Sequence, residues 1–519
     1  MFMHSQHLLT ALLLTPLAGS AIVALSPKNS ARNIAVVLSL VMLVLSGMLA
    51  CQFDFSVPGM QFTETASWIS SVFPVNYHVG VDGFSLCLIL LTTIVMLAAV
   101  LASTSISNNR PKLYYSFVML LATSIIGTFI SLDLVQFFVL YELELVPMYF
   151  LIAVWGGPNR DYAAMKFLLY TFFGGIFMLG GLLFLYFQLG ALGSGIQTFD
   201  MVRLAQLSPG LAKSTQLIAC LCFLLAFIIK LPSFPFHTWL PDAHVEAPTP
   251  ISMILAALLL KMGSYGLMRI CVGFFPDAIT ILATALMALG SFNIVWAAAA
   301  CLVQEDMKRV IALSSVSHMG FILLGIGSMT AAGLSGAIFQ MISHGFISAL
   351  LFFMVGTVYE RCHTRSIPTI GGGLANDVPQ LFYFWMFAVL ANLGLPALSG
   401  FVGEVTVIYG SFVSPLVLSS HALLPRASVF VACTGVILTA GYMLWLLKRL
   451  FYGERNPKWT GHFGDATAGE MQVASLLAVF ILALGVYPLM ITNTWSNYTD
   501  RLASNLEARS IPNKISYQQ

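Results

Sequence analysis

Charge is what this 519-residue sequence has least of. Asp, Glu, Lys and Arg together make up 8% of it, against roughly a quarter in a soluble domain, while 58% of the residues are hydrophobic and the mean hydropathy is +0.89. Water is therefore excluded as the solvent for most of the chain, and lipid takes its place. The net charge is only +2, and no block of Lys and Arg is interleaved with aromatics, which excludes nucleic acid as a partner. The eight cysteines form no CxxC and no Cys/His ligand spacing; the closest pair, Cys220 and Cys222, points to opposite sides of a helix. Neither a metal site nor an iron–sulfur cluster is expected. No Gly-rich nucleotide loop follows a strand, and GxSxG and HExxH are missing. Electron chemistry and hydrolysis thus lie beyond this chain alone. Met1 to His7 carries no Lys or Arg, and its apolar run leads directly into further ones, so the first segment is expected to stay as a transmembrane helix.

What is present is a succession of apolar runs. A helix needs about 20 apolar residues to cross the hydrocarbon core, which predicts an all-α integral membrane fold of about fourteen spans. They fall near 8–25, 32–51, 84–104, 113–131, 133–153, 163–188, 214–236, 249–272, 277–297, 303–325, 331–358, 380–410, 428–451 and 471–495. The longest breaks, 52–83, 189–213 and 359–379, are rich in Gly, Pro, Ser and polar residues, as surface connections are. None holds a further domain, so residues 1–519 read as a single membrane domain. Sidedness follows from the basic residues. With the N-terminus outside, Lys28, Arg32, Arg110, Lys112, Arg160, Lys166, Lys308, Arg309, Arg361, Arg365, Lys448, Arg449, Arg455 and Lys458 lie inside. Only Arg203, Lys213, Arg269, Arg426, Arg501, Arg509 and Lys514 lie outside. This two-to-one bias predicts both termini outside or in a lumen.

Two spans are interrupted. The seventh contains Lys230-Leu-Pro-Ser-Phe-Pro235, and the twelfth contains Gly394-Leu-Pro396 through Gly403-Glu404. Proline removes a backbone donor, which lipid tolerates only where the freed groups face protein or a water-filled cavity. Breaks five spans apart predict two inverted five-helix repeats, spans 4–8 and 9–13, as in transporters. The chain then divides into N-terminal helices (1–112), a first repeat (113–272), a second repeat (273–451) and a C-terminal helix and tail (452–519). Harmless kinks are the alternative.

Charges at mid-bilayer cost about 2.5–3.5 kcal/mol each, so they face the bundle interior and mark function. Glu142, Lys230, Lys261 and Glu404 are such charges. His318 and His344 join them, because imidazole titrates nearest neutral pH and suits a proton relay. Packed interhelical hydrogen bonding is the competing account of the histidines. A Glu142/Lys230 pair is a candidate switch, since a carboxylate keeps a buried ammonium charged and its departure favours release of the proton; a static tie between spans 5 and 7 is the alternative. Glu144 lies about 200° around the helix from Glu142 and cannot share its face, so it ranks as a secondary candidate. Asp242 and His244, with His237 and Glu246 in the same polar segment, could feed protons to Lys230 or lie in a solvated loop. Asp133 is either a relay group or a helix cap.

The residues Tyr141-Glu-Leu-Glu-Leu-Val-Pro through Gly157, Lys230-Leu-Pro, His237-Thr-Trp-Leu-Pro-Asp-Ala-His244, Leu260-Lys261-Met, Ser315 to Phe321 and Phe401-Val-Gly-Glu404 resemble, in order, the antiporter-like chain 4 (M or D type) of complex I. The resemblance covers nearly the whole chain. It implies a membrane-arm subunit of an NAD(P)H-quinone oxidoreductase that pumps protons alongside sister antiporter-like subunits, with lipids between them, while electrons travel through other subunits. By position, the relay falls on Glu142, Lys230, Lys261, His318, His344 and Glu404. No cofactor is implied in this chain; NAD(P)H or ferredoxin, iron–sulfur clusters and a quinone belong to the complex. Glu-Leu-Glu looks more like cyanobacterial and plastid chains, which implies plastoquinone and a thylakoid or plasma membrane. A multi-subunit cation/proton antiporter subunit, or a structural subunit with vestigial charges, are the alternatives.

Overall fold

The computed structural model of the chain describes residues 7–69, 73–104, 106, 109–191, 197–419, 422–454, 456–459 and 464–510. Arg455 and Lys514 of the charge tally lie outside the described residues. Thirteen described helices are long and apolar enough to cross a membrane. The region expected as the twelfth span is a pair of half-helices, Pro379–Asn392 and Ser399–Phe412, on either side of the predicted break.

Helix ends follow local chemistry. Pro111, Pro276 and Pro379 open helices at the position where a missing N–H costs nothing. Asp82 and Ser85 form a capping box for Gly83–Ala102, and Asp306 accepts from the amides of Lys308 and Arg309 at the start of Met307–Gly327. Three spans, Thr249–Val272, Met307–Gly327 and Ala331–Cys362, are buried along their whole apolar length, whereas Lys28–Gln52 and Ala468–Val486 present most of theirs outward. The buried three carry Lys261, His318 and His344. Their surroundings are protein, and that is what makes an ionisable group in them tolerable.

Several connections depart from the sequence reading. The 52–83 break folds into an antiparallel hairpin, Gln61–Ile69 with Val75–Val81, since alternating residues there suit a pleat. The expected span 471–495 stops at Val486; Pro488 precedes a separate helix, Leu489–Ser510, rich in Asn, Ser and Thr and thus too polar to cross lipid. The polar segment after Lys230 is no solvated loop. It is a short helix, Trp239–Glu246, with Trp239, His244 and Glu246 buried.

Connections gather on two faces. The hairpin takes the Leu132 amide on the His78 carbonyl, His78 meets Asp200 at 2.9 Å, and Glu64 accepts from the Leu9 amide. On the opposite face, Arg365 joins Glu246 and Asp306, and Arg361 pairs with Glu470. Burial would raise the Asp200 carboxyl, but the His78 imidazole and the Arg203 amide outweigh it and hold it below the ordinary range.

Candidate functional site

The first interrupted helix ends at Lys230, where the chain turns through Leu231–Thr238 before Trp239–Glu246 begins. The freed backbone groups are met by protein. Asn293 accepts from the Phe234 amide at 2.9 Å and donates to the Ser233 hydroxyl at 2.7 Å, while the Trp239 indole donates to the Ile229 carbonyl at 2.9 Å. At the far end of the half-helix, Lys308 donates to the Ala247 carbonyl at 2.6 Å and Arg365 to the Val245 carbonyl. Two cations thus satisfy carbonyls that a helix C-terminus leaves without partners.

Lys230 is buried and forms an ion pair with Glu144, whose side chain is fully enclosed. Its ammonium lies 5.2 Å from the Tyr141 ring and 5.7 Å from Phe167. Glu144 is thus the direct contact, where the sequence pointed to Glu142, and the expected electrostatic coupling of Glu142 to Lys230 is present beside it. The reason is helix phase: Glu144 keeps helical backbone angles, with φ at −62° and ψ at −25°, between Leu134–Leu143 and Leu145–Trp155, so it faces away from Glu142 and toward Lys230, while Pro147 only denies the Leu143 carbonyl its helical donor. Glu142 points to Gly175, where a Cβ would stand 2.6 Å from its carboxyl carbon, and acts on Lys230 at longer range. The two glutamates do take different faces.

Lys261 sits between two π-helical segments, Leu255–Leu259 and Leu267–Val272, a distortion concentrated at functional sites. The wide turn leaves the Ala256 carbonyl free to accept from its ammonium at 2.8 Å. The second partner of that ammonium is Nδ1 of His344, also at 2.8 Å. A charged lysine can only donate, so Nδ1 accepts; a neutral lysine can accept from Nδ1–H. This one hydrogen bond can therefore carry a proton in either direction.

The His344 and His318 rings lie 5.4 Å apart. Nδ1 of His318 is 3.2 Å from Glu404 Oε1 and 3.2 Å from Gln340 Nε2. Unprotonated, it accepts from the amide; protonated, it turns to the carboxylate. Glu404 lies on Ser399–Phe412, just past the second break, and Gly394, with φ at 77°, leaves room for it: a Cβ there would fall 2.8 Å from Oε2. Tyr141 Oη, both ring nitrogens of His244, His318 Nε2 and Gln340 Oε1 are buried without a protein hydrogen-bond partner. Groups of this kind are met by ordered water.

The structure thus brings Lys261, His344, His318 and Glu404 into one row and sets Lys230 with Glu144 at its other end. Close approach joins the two parts, since a Cβ at Gly263 would be 2.9 Å from the Lys230 Cβ. His244 stacks on Phe352 at 4.3 Å. Asp242 pairs with Lys166 at 2.7 Å, and Tyr170 meets Thr238 at 2.9 Å. Asp133 caps its helix, accepting from Val135, Gln136 and Asn76 amides at 2.9, 3.2 and 3.1 Å. Burial pushes its carboxyl up despite those amides. Lys308, Gln340 and the Asp82–Arg269 pair went unnoticed in the sequence. Arg269 and Lys308 sit near span ends, where a cation reads as a loop residue.

A polytopic bundle with acids, amines and imidazoles buried in a row between two interrupted helices belongs to the class of membrane subunits that carry ions. The chain belongs to the family described as NADH:quinone oxidoreductase/Mrp antiporter, TM, which matches residues 131–426. It is 41% identical over 512 residues to NAD(P)H-quinone oxidoreductase chain 4 1 of Synechococcus sp. (strain JA-3-3Ab), covering 98% of this chain and 94% of the relative. It is 38% identical over 517 residues to NADH-quinone oxidoreductase subunit M of Rhodobacter capsulatus, covering 97% and 98%. Among solved structures, respiratory complex I from Thermus thermophilus holds a chain similar at TM-score 0.85 and 26% identity, with 96% and 99% covered. The fold is also shared with a chain of the Mrp complex from Dietzia sp. DQ12-45-1b, at TM-score 0.83, 18% identity and 98% and 100% coverage.

Proposed function

We infer that this chain is a proton-translocating membrane-arm subunit of an NAD(P)H-quinone or ferredoxin-quinone oxidoreductase. The observation that carries the reading is the buried row of Lys261, His344, His318 and Glu404, with Lys230 and Glu144 beside it. Each member holds or passes a proton, and conformational change driven elsewhere in the complex makes and breaks the contacts. Iron–sulfur clusters, the electron donor and the quinone, plastoquinone in a photosynthetic membrane, belong to partner subunits, so this chain contributes translocation to the enzyme. The hairpin face is the outer or lumenal one, as the bias of basic residues supports. The two interrupted helices are the centres of two inverted repeats.

The test is substrate-driven proton uptake in vesicles holding the assembled complex, with Lys261→Ala and Glu404→Gln compared with wild type. Loss of pumping in complexes that still assemble is the expected result. Wild-type pumping in both would make the row a set of structural ties. The shared fold with an Mrp chain supports a second reading, a cation/proton antiporter subunit, and co-purification with iron–sulfur subunits separates the two.

A further inference from the structure

On the hairpin face, a cavity of about 360 Å³ opens between the 53–60 segment, the 201–206 segment and the C-terminal helix Leu489–Ser510. Its wall is mostly apolar, with Gln206, Asn497, Arg501 and Asn505 as polar groups among it, and Asp82 and Arg269 form part of it. Arg269 belongs to the same helix as Lys261. Lys261, Tyr265 and Arg269 follow one another four residues apart, so this stripe runs from the middle of the relay toward the cavity.

The stripe is blocked by its own hydrogen bonding. Arg269 Nη1 and Nη2 each donate to a different oxygen of Asp82, both at 2.7 Å, and Nε donates to Tyr265 Oη at 3.2 Å. The Tyr265 hydroxyl in turn donates to the Phe129 carbonyl at 3.1 Å. The guanidinium is boxed by the rings of Tyr498, Tyr265 and Phe84 at 4.7, 5.1 and 5.6 Å. Guanidinium offers donors only and does not give up its proton, so it cannot take a proton from one side and pass it to the other. A hydroxyl pinned between a donor and an acceptor cannot reorient to do so. A fixed cation in the wall of such a cavity also repels an arriving hydronium, as arginine does in selective pores.

We propose that Arg269, held by Asp82, Tyr265 and Tyr498, is the barrier that closes the hairpin-face cavity to protons and insulates Lys261 from that compartment. The row can then release protons only past the second repeat. Tyr498 makes the C-terminal helix part of this seal. The proposal rests on Lys261 being a relay member, but its test needs no turnover. The complex carrying Asp82→Asn/Arg269→Gln, a nearly isosteric neutral pair, is reconstituted in liposomes, and passive proton leak is measured under an imposed pH gradient without electron donor. The leak rises at least about tenfold over the wild-type complex, and adding Lys261→Ala to the same variant returns it to the wild-type level. An assembled double variant as tight as wild type overturns the proposal, as does a leak that persists without Lys261. Should the double variant not assemble, Tyr498→Ala, which opens the box and leaves the ion pair, decides in its place: an unchanged leak refutes the barrier. Unimpaired pumping by Lys261→Ala alone would instead strike at the relay.

Discussion

Replacing Glu144 by Gln removes the carboxylate that Lys230 touches and leaves the ammonium enclosed. Loss of one partner from a buried ion pair costs about 3–5 kcal/mol, because the remaining charge stays out of water. The Tyr141 and Phe167 ring faces stand against the ammonium with or without the carboxylate, so they do not offset that cost. At about 1.4 kcal/mol per factor of ten, a penalty of about 3–5 kcal/mol corresponds to a fall of roughly 150-fold or more in the population of the charged, locked state. The assay is dye-reported proton pumping by the purified complex in liposomes, normalised to quinone reduction, with assembly checked by native electrophoresis. Glu144→Gln is expected to lose nearly all pumping while assembling, and Glu144→Asp, which keeps the charge on a shorter arm, to recover part of it. If Glu144→Gln pumps as wild type while Glu142→Gln abolishes pumping, Glu142 is the working partner and the contact with Glu144 has no mechanistic weight.

Asp133→Asn should leave pumping and melting temperature nearly unchanged, because Asn caps a helix about as well as Asp; loss of pumping would return Asp133 to the relay. Gly263→Val should prevent stable assembly, since its first carbon would meet Lys230 Cβ at 2.9 Å and overpacking costs about 1–3 kcal/mol. Subunit level in membranes reads this out, and a normal level refutes the close approach. Lys308→Met should lower thermal stability by about 1 kcal/mol by removing the shorter of the two hydrogen bonds to the Ala247 carbonyl and leaving only the Ser252 hydroxyl at 3.4 Å, measured by melting of the purified complex; an unchanged melting curve would show that the half-helix end is held otherwise. Burial alone would raise the Asp82 carboxyl, but Arg269 and Ser85 bring it below its ordinary value. Its contribution is therefore complete above the ordinary carboxylate range near pH ~3.9 and fades only as pH falls through the lowered value. Passive leak should accordingly stay flat from neutral to mildly acidic pH, and a rise in that window would sever the clamp from the barrier.

The sequence by itself determined the solvent, the helical class and the places where helices break. Twenty-residue apolar runs admit no other spanning structure, and Pro232, Pro235 and Pro396 cannot donate to a helical ladder wherever they are put. It also singled out Lys261, His318, His344 and Glu404, because an ionisable residue inside an apolar run is costly enough to need a reason. Partnership was beyond it. Glu142 and Glu144 fall on opposite sides of one helix by spacing alone, and Pro147 marks the irregularity between them, but which side Lys230 approaches is set by how its own helix packs. Arg269 and Lys308, at span ends, counted as loop charges; only the fold shows that a carboxylate 187 positions away and a carbonyl 61 positions away enclose them. The C-terminal helix was misread for the opposite reason. Its first residues continue an apolar run, and only the turn at Pro488 and the packing of Trp495 and Tyr498 lay it across the hairpin face. Composition fixes what a segment can be buried in, whereas long-range packing decides which buried groups face one another.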